Sequence, residues 1–199
     1  MHRLSLLIGA LLAATACGNT STAPTNTPST FHAEVADPAG DAAVSAAVPT
    51  PPDLIHGTVD VGGGNLTVTI QFAPGTLNRA SALLTIQLDT DQNPATGIPA
   101  ANGIGIDYVL SLYGPTGTIV QQATPATCAN GGACYTQVGT ASLGHETDTM
   151  TTTIPLSMLG NAGGRLNYRV FASVPQPAPT PTITTDVMPD ITLPPAHVP

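Results

Sequence analysis

The chain contains no lysine and no tryptophan. Its 12 acids face only four arginines, giving a formal net charge of -8. A surface so short of cations cannot neutralise phosphates, which argues against nucleic acid as a partner. Aromatics are scarce as well, at four tyrosines and three phenylalanines. Phe72, Tyr108 and Tyr168 fall on predicted core faces, leaving Tyr113, Phe171 and Tyr135 for the surface. Sugar-binding surfaces usually stack rings on aromatic faces, so such a platform is poorly provided here. Catalytic signatures are also missing: there is no GxSxG, no HExxH and no phosphate loop. His32, His56, His145 and His197 are scattered, and a hydrated strand end accounts for the adjacent His145 and Glu146. The expectation is a non-enzyme.

Helical periodicity is nearly absent, and so is any apolar run long enough to span a bilayer, which takes about 20 residues. The apolar run from Leu4 to Ala13 follows His2 and Arg3 and ends in Ala14-Thr15-Ala16-Cys17. This arrangement resembles a bacterial lipoprotein signal, residues 1–16, which implies cleavage before Cys17 and lipidation of its thiol. An ordinary signal peptide followed by a chance cysteine is the plain alternative. Two or more acyl chains anchor a protein stably, so the expectation is a lipid-anchored protein of the cell envelope. Gly18 follows the cysteine where an inner-membrane retention signal would place aspartate. That favours an outer membrane, on its periplasmic or its surface side. Residues 17–30 are rich in Thr, Ser and Pro and read as a linker, because they hold no large apolar residue to offset ordering entropy.

Residues 31–199 form one domain by size, closing with a proline-rich tail. Period two dominates it. Ile55, Val59 and Val61 mark one strand, and Gly62 to Asn65 turn it back into Leu66, Val68, Ile70 and Phe72. Leu84, Ile86 and Leu88 share a face, as do Ile104, Ile106, Tyr108, Leu110 and Leu112. Further strands are expected near 119–122, 135–138, 149–154 and 166–174, with one short helical turn near 156–160. Many short strands with Gly/Pro turns and no covering helices predict an all-β fold, an antiparallel two-sheet β-sandwich of jelly-roll or immunoglobulin-like type. Cys128 and Cys134 bracket a turn-prone loop, and an exported compartment permits a disulfide between them. A metal pair and two free thiols are the rival readings.

With charged residues at only 8% of the chain, the grouping of the acids is informative. Asp89, Asp91 and Asn93 open the loop between two strands, and Asp107 begins the second. If those strands pair, Asp89 and Asp107 are diagonal neighbours within about 8 Å. The loop starts like an EF-hand, but Pro94 and Ala100 stand where Gly and Glu are required. We read Asp89, Asp91, Asn93 and Asp107 as a calcium site, with simple turn capping as the alternative. Asp37 and Asp41 in DPAGD, Asp53, and the pair Asp186 and Asp190 in DVMPD form further groups, each of which alone reads as a turn. Close carboxylates in a chain so poor in cations are costly unless a cation joins them.

The order DPAGD, PPDLIHGTVDV, a GGG hairpin, LDTDQNPATG, GIDYVL, TTTIPLSMLG, RLNYRVFASV and DVMPD resembles the DOMON-like, family-9 carbohydrate-binding-like β-sandwiches. Within them it is most similar to the calcium-bearing module at the carboxyl end of glucodextranase-type proteins. The resemblance implies two antiparallel sheets with a structural calcium near the amino-terminal loop, and assigns Asp37, Asp41 and Asp53 to it. The loop from Asp41 to Asp53 is shorter than the family's and lacks its aromatics. The resulting expectation is a membrane-tethered, non-catalytic module with structural calcium that binds or assists a partner, either a glycan or an envelope protein. A carbohydrate-binding module or a fragment of a glycan-acting hydrolase is the alternative.

Overall fold

The computed structural model describes residues 30–45, 48, 50–100, 103–114, 116–160, 162–175 and 182–199. The expected signal peptide, Cys17 and the linker to residue 29 lie outside the described residues. Two antiparallel sheets pack face to face. The first contains β1 (Phe31–Ala36), β2 (Leu54–Gly62), β3 (Asn65–Phe72), β10 (Leu143–Glu146) and β11 (Thr149–Pro155), in the order β1-β2-β3-β11-β10. The second is built on β4 (Leu83–Asp89), β7 (Tyr108–Tyr113), β8 (Gly117–Ala123), β9 (Tyr135–Ala141), β12 (Leu166–Val174) and β13 (Ile183–Met188). Its order is β13-β12-β4-β7-β8-β9. A short ribbon pairs β5 (Ile98–Ala100) with β6 (Ile104–Ile106). The proline-rich end, expected as a tail, instead lays β14 (Ala196–Val198) along β12.

Alternation decides what fills the space between the sheets. From the first sheet come Val59, Leu66, Val68, Ile70, Phe72, Met150 and Ile154; the second supplies Leu84, Ile86, Leu88, Leu110, Leu112, Tyr168 and Val170, all buried. Burying one such side chain stabilises the fold by about 1.5–3 kcal/mol. The two central hairpins turn at Gly63 and Gly64, both at positive φ, and at Thr116–Gly117. The helical turn expected near 156–160 is a 3₁₀ turn, Leu156–Leu159, closed by Gly160 at φ 66.

Two irregularities redirect side chains. A register shift between Leu54 and His56 turns Leu54 into the core and leaves the expected Ile55 half-buried. The run Ile104 to Leu112, expected to share one face, breaks at Asp107. Tyr108, Leu110 and Leu112 then join the main core, while Ile104 and Ile106 pack with Val109 in a separate cluster. Asp107 therefore sits at a corner between two strands.

Cys128 and Cys134 form a disulfide. It closes the connection between the antiparallel strands β8 and β9, which also carries a short helix α1 (Pro125–Ala129).

Candidate metal centre

Five aspartates meet where the edges of the two sheets approach. Asp37 follows β1, its N–H donating to Ile55 at 3.0 Å and extending the β1–β2 ladder by one bond. Gly40, at φ 89, turns the chain so that its N–H donates to Asp53 Oδ2 at 2.8 Å. Asp53 lies just before β2 and is 5% exposed. Asp186 reaches over from β13 in the other sheet, its Oδ2 accepting from the N–H of Leu54 at 2.6 Å and its Oδ1 from that of Val187 at 2.8 Å. Asp190 follows β13. Carboxylate oxygens of Asp37, Asp41 and Asp190 lie within 4.8 Å of one another, as do those of Asp41, Asp53 and Asp186.

The electrostatic consequence is large. Two full charges about 5 Å apart repel by roughly 3 kcal/mol at an effective dielectric near 20. Burial, then the charges of Asp186, Asp41, Asp190 and Asp53, push the Asp37 carboxyl up to about 7. Asp186 is raised to about 6 by burial and by Asp41 and Asp53, against the two backbone donors that favour its charge. Asp37 Oδ2 and Asp53 Oδ1 are buried and have no hydrogen-bond partner. Buried oxygens without donors are costly, and a hard cation with a taste for carboxylates satisfies them. The donor set therefore fits calcium.

A second cluster is built differently. Asp89 ends β4 and is fully buried, although it points away from the main core; the loop and Asn167 cover it. Its Oδ1 accepts from the N–H of Asn93, and its Oδ2 from Asn167 Nδ2 at 3.1 Å. Asp91 Oδ1 also accepts from Asn93 N–H, and the Thr96 hydroxyl reaches both Asp91 oxygens. Asp107 Oδ2 receives the N–H and hydroxyl of Thr90 at 2.9 and 3.0 Å. Oxygens of Asp89, Asp91 and Asp107 lie within 4.8 Å of one another. Burial raises the pKa of Asp89, as do a carboxyl–carboxyl hydrogen bond with Asp91 and the charge of Asp107; Asn167 and Asn93 oppose them. Asn93 Oδ1 is taken by the N–H of Ala95, so Asn93 serves the turn. Most oxygens here already have donors, which suits turn capping as well as a cation.

Beside this cluster opens a cleft of about 420 Å³, lined by Thr90, Asp91, Asp107, Tyr108, Gln122 and Gly160. Gly97, at φ 64, closes the loop over it: an added Cβ would meet the Ile106 carbonyl oxygen at 2.3 Å and Asp107 Oδ1 at 2.9 Å. Among the described residues no aromatic is fully exposed; Tyr113, Phe171 and Tyr135, expected at the surface, are half-buried. His145 and Glu146 are successive residues of one strand and point to opposite faces. His145 Nε2 is engaged with the Gly114 carbonyl at 3.0 Å.

The structure thus brings Asp37, Asp41 and Asp53 together, and separately Asp89, Asp91 and Asp107. Asp186 and Asp190, which alone read as a turn, join the first group. Their shared spacing with Asp37 and Asp41, two aspartates with three residues between, was the available signal. No protein-family model matches this chain, and no curated protein is significantly similar to it.

Proposed function

We propose that this chain is a membrane-tethered, non-catalytic module of the bacterial cell envelope, a β-sandwich whose loops are pinned by calcium and which binds or assists a partner there. The tether is the lipid on Cys17, with residues 17–30 as spacer, and the outer membrane is the favoured location. What carries the calcium reading is the pair of buried, donorless oxygens on Asp37 and Asp53 inside a group of five aspartates. Calcium takes six to eight oxygens in flexible geometry, and short carboxylates from three separate segments suit it. Its role is structural, because Asp186 belongs to one sheet while Asp37, Asp41 and Asp53 flank the strands of the other. Asp89, Asp91 and Asp107 are a second candidate calcium site on the neighbouring loop. The test is thermal unfolding of ion-stripped protein with and without added calcium. A ligand bound only by the folded state raises the midpoint; an unchanged midpoint removes calcium from this account.

A carbohydrate-binding reading has one observation in its favour, the polar cleft beside Asp91. Carboxylates, the Gln122 amide and the Tyr108 hydroxyl are the groups that bond sugar hydroxyls, and the cleft does not need a stacking aromatic face to offer them. Pull-down on insoluble polysaccharides with wild type and Gln122→Ala tests it. Retention lost in the variant supports the reading, and equal failure of both to bind eliminates it.

A further inference from the structure

Two tyrosines of the main core, Tyr168 and Tyr108, have hydroxyls with no hydrogen-bond partner. That of Tyr168 is sealed from solvent. That of Tyr108 is not: the residue is only 7% exposed, yet it lines the cleft beside Asp107. The ring is held in the core while its polar end reaches the cleft. Gly160, at φ 66, keeps that end approachable, since a Cβ there would lie 3.0 Å from the hydroxyl oxygen. Buried tyrosine hydroxyls usually find a partner, so one turned unbonded into a cleft points to a ligand.

The groups around that hydroxyl define what the ligand offers. Asp107 commits Oδ2 to Thr90 and keeps Oδ1 without a donor. Gln122 stands opposite Tyr108 in the β7–β8 register, with its amide unbonded. A phenol that donates, a carboxylate oxygen that accepts and an amide that does both match the hydroxyls of a saccharide. Asp91 adds a second carboxylate to the cleft, and among the described residues no arginine lines it. Like charges brought together across an interface are costly, so an acidic sugar is disfavoured there. We propose that Tyr108 is the anchoring donor of a site for neutral saccharides, which the acidic wall closes to anionic sugars. The proposal rests on the carbohydrate reading above and adds its specificity-determining residue and its ligand class.

Isothermal titration of wild type and Tyr108→Phe with soluble glucan, xylan and galactan oligosaccharides tests it, with oligogalacturonate as the acidic probe. Phenylalanine keeps the buried ring and removes no hydrogen bond of the fold, so the melting midpoint is expected to stay unchanged. Affinity for the neutral oligosaccharide that wild type binds should fall about tenfold, and oligogalacturonate should bind neither protein. A variant that binds as tightly as wild type overturns the proposal and leaves the carbohydrate reading standing. So does wild-type protein that takes oligogalacturonate as tightly as the neutral probes. A variant that melts several degrees lower assigns the hydroxyl to the fold, which also overturns the proposal. Wild type that binds none of the probes removes the carbohydrate reading together with it.

Discussion

Stripping the protein of divalent ions should invert its response to pH. Asp37 is held at about 7 and Asp186 at about 6, against 3.8 for an ordinary aspartate. Between about pH 4 and pH 7 the folded ion-free chain therefore keeps protons that the unfolded chain has released. Stability is then full below the unfolded value and is lost as pH rises through the folded ones. Raising one carboxyl from 3.8 to about 6 corresponds to roughly 3 kcal/mol. Asp37 adds less than its own displacement suggests, because it is partly solvated. Together they give roughly 3–4 kcal/mol, which for a domain of this size lowers the melting midpoint by about 10 °C. Calcium bound there would hold the same carboxylates ionised, so loaded protein would instead lose stability as pH falls. The assay is calorimetric melting of stripped and calcium-loaded protein from about pH 4.5 to about pH 7.5. The two midpoints should nearly coincide at the acid end and separate progressively toward neutrality. His32, raised by its hydrogen bond to Asp60 and that carboxylate's charge, also sheds stability above pH 6.5, but it does so in both preparations and cancels in the difference. A stripped protein whose midpoint is flat or rises across this window refutes the reasoning.

Other outcomes follow from the same structure. Gly97→Ala places a methyl group 2.3 Å from the Ile106 carbonyl oxygen and should cost about 2–3 kcal/mol in urea unfolding. Gly63→Ala, at φ 58 with open space around it, should cost only about 1 kcal/mol; equal costs would mean the loop does not press on Asp107. Replacing both Cys128 and Cys134 by serine opens a loop of sequence separation 6 and should destabilise by roughly 2 kcal/mol, read as the shift in urea midpoint. Cys17→Ser in the full-length chain should abolish incorporation of labelled fatty acid and move the protein from membrane to soluble fractions; unchanged fractionation would count against the lipid anchor.

The architecture was legible because its strands are half-buried and alternate. Val68, Ile70 and Phe72 against Thr67, Thr69 and Gln71 leave one reading of that strand, and both sheets are assembled from segments of this kind. Where alternation failed, a local backbone event intervened. The register shift beside Ile55 and the corner at Asp107 both switch faces without changing composition. The loop-borne acids Asp89, Asp91 and Asp107 could be grouped because β4 and β7 pair directly, Leu88 opposite Tyr108. Asp186 could not, since its bond to Leu54 spans 132 residues and crosses between sheets. Periodicity describes one strand at a time and carries no information on which sheet edges meet. The same limit hid the docking of β14, whose His197 and Val198 are bonded by Gln92 from the acidic loop.

An anomalous difference map from crystals grown with calcium shows whether folding gathers these aspartates around the ion. Density is expected about 2.3–2.6 Å from Asp53 Oδ1 and from Asp37 Oδ2. A map without peaks there, in which both oxygens are met by water or by each other's protons, would contradict it.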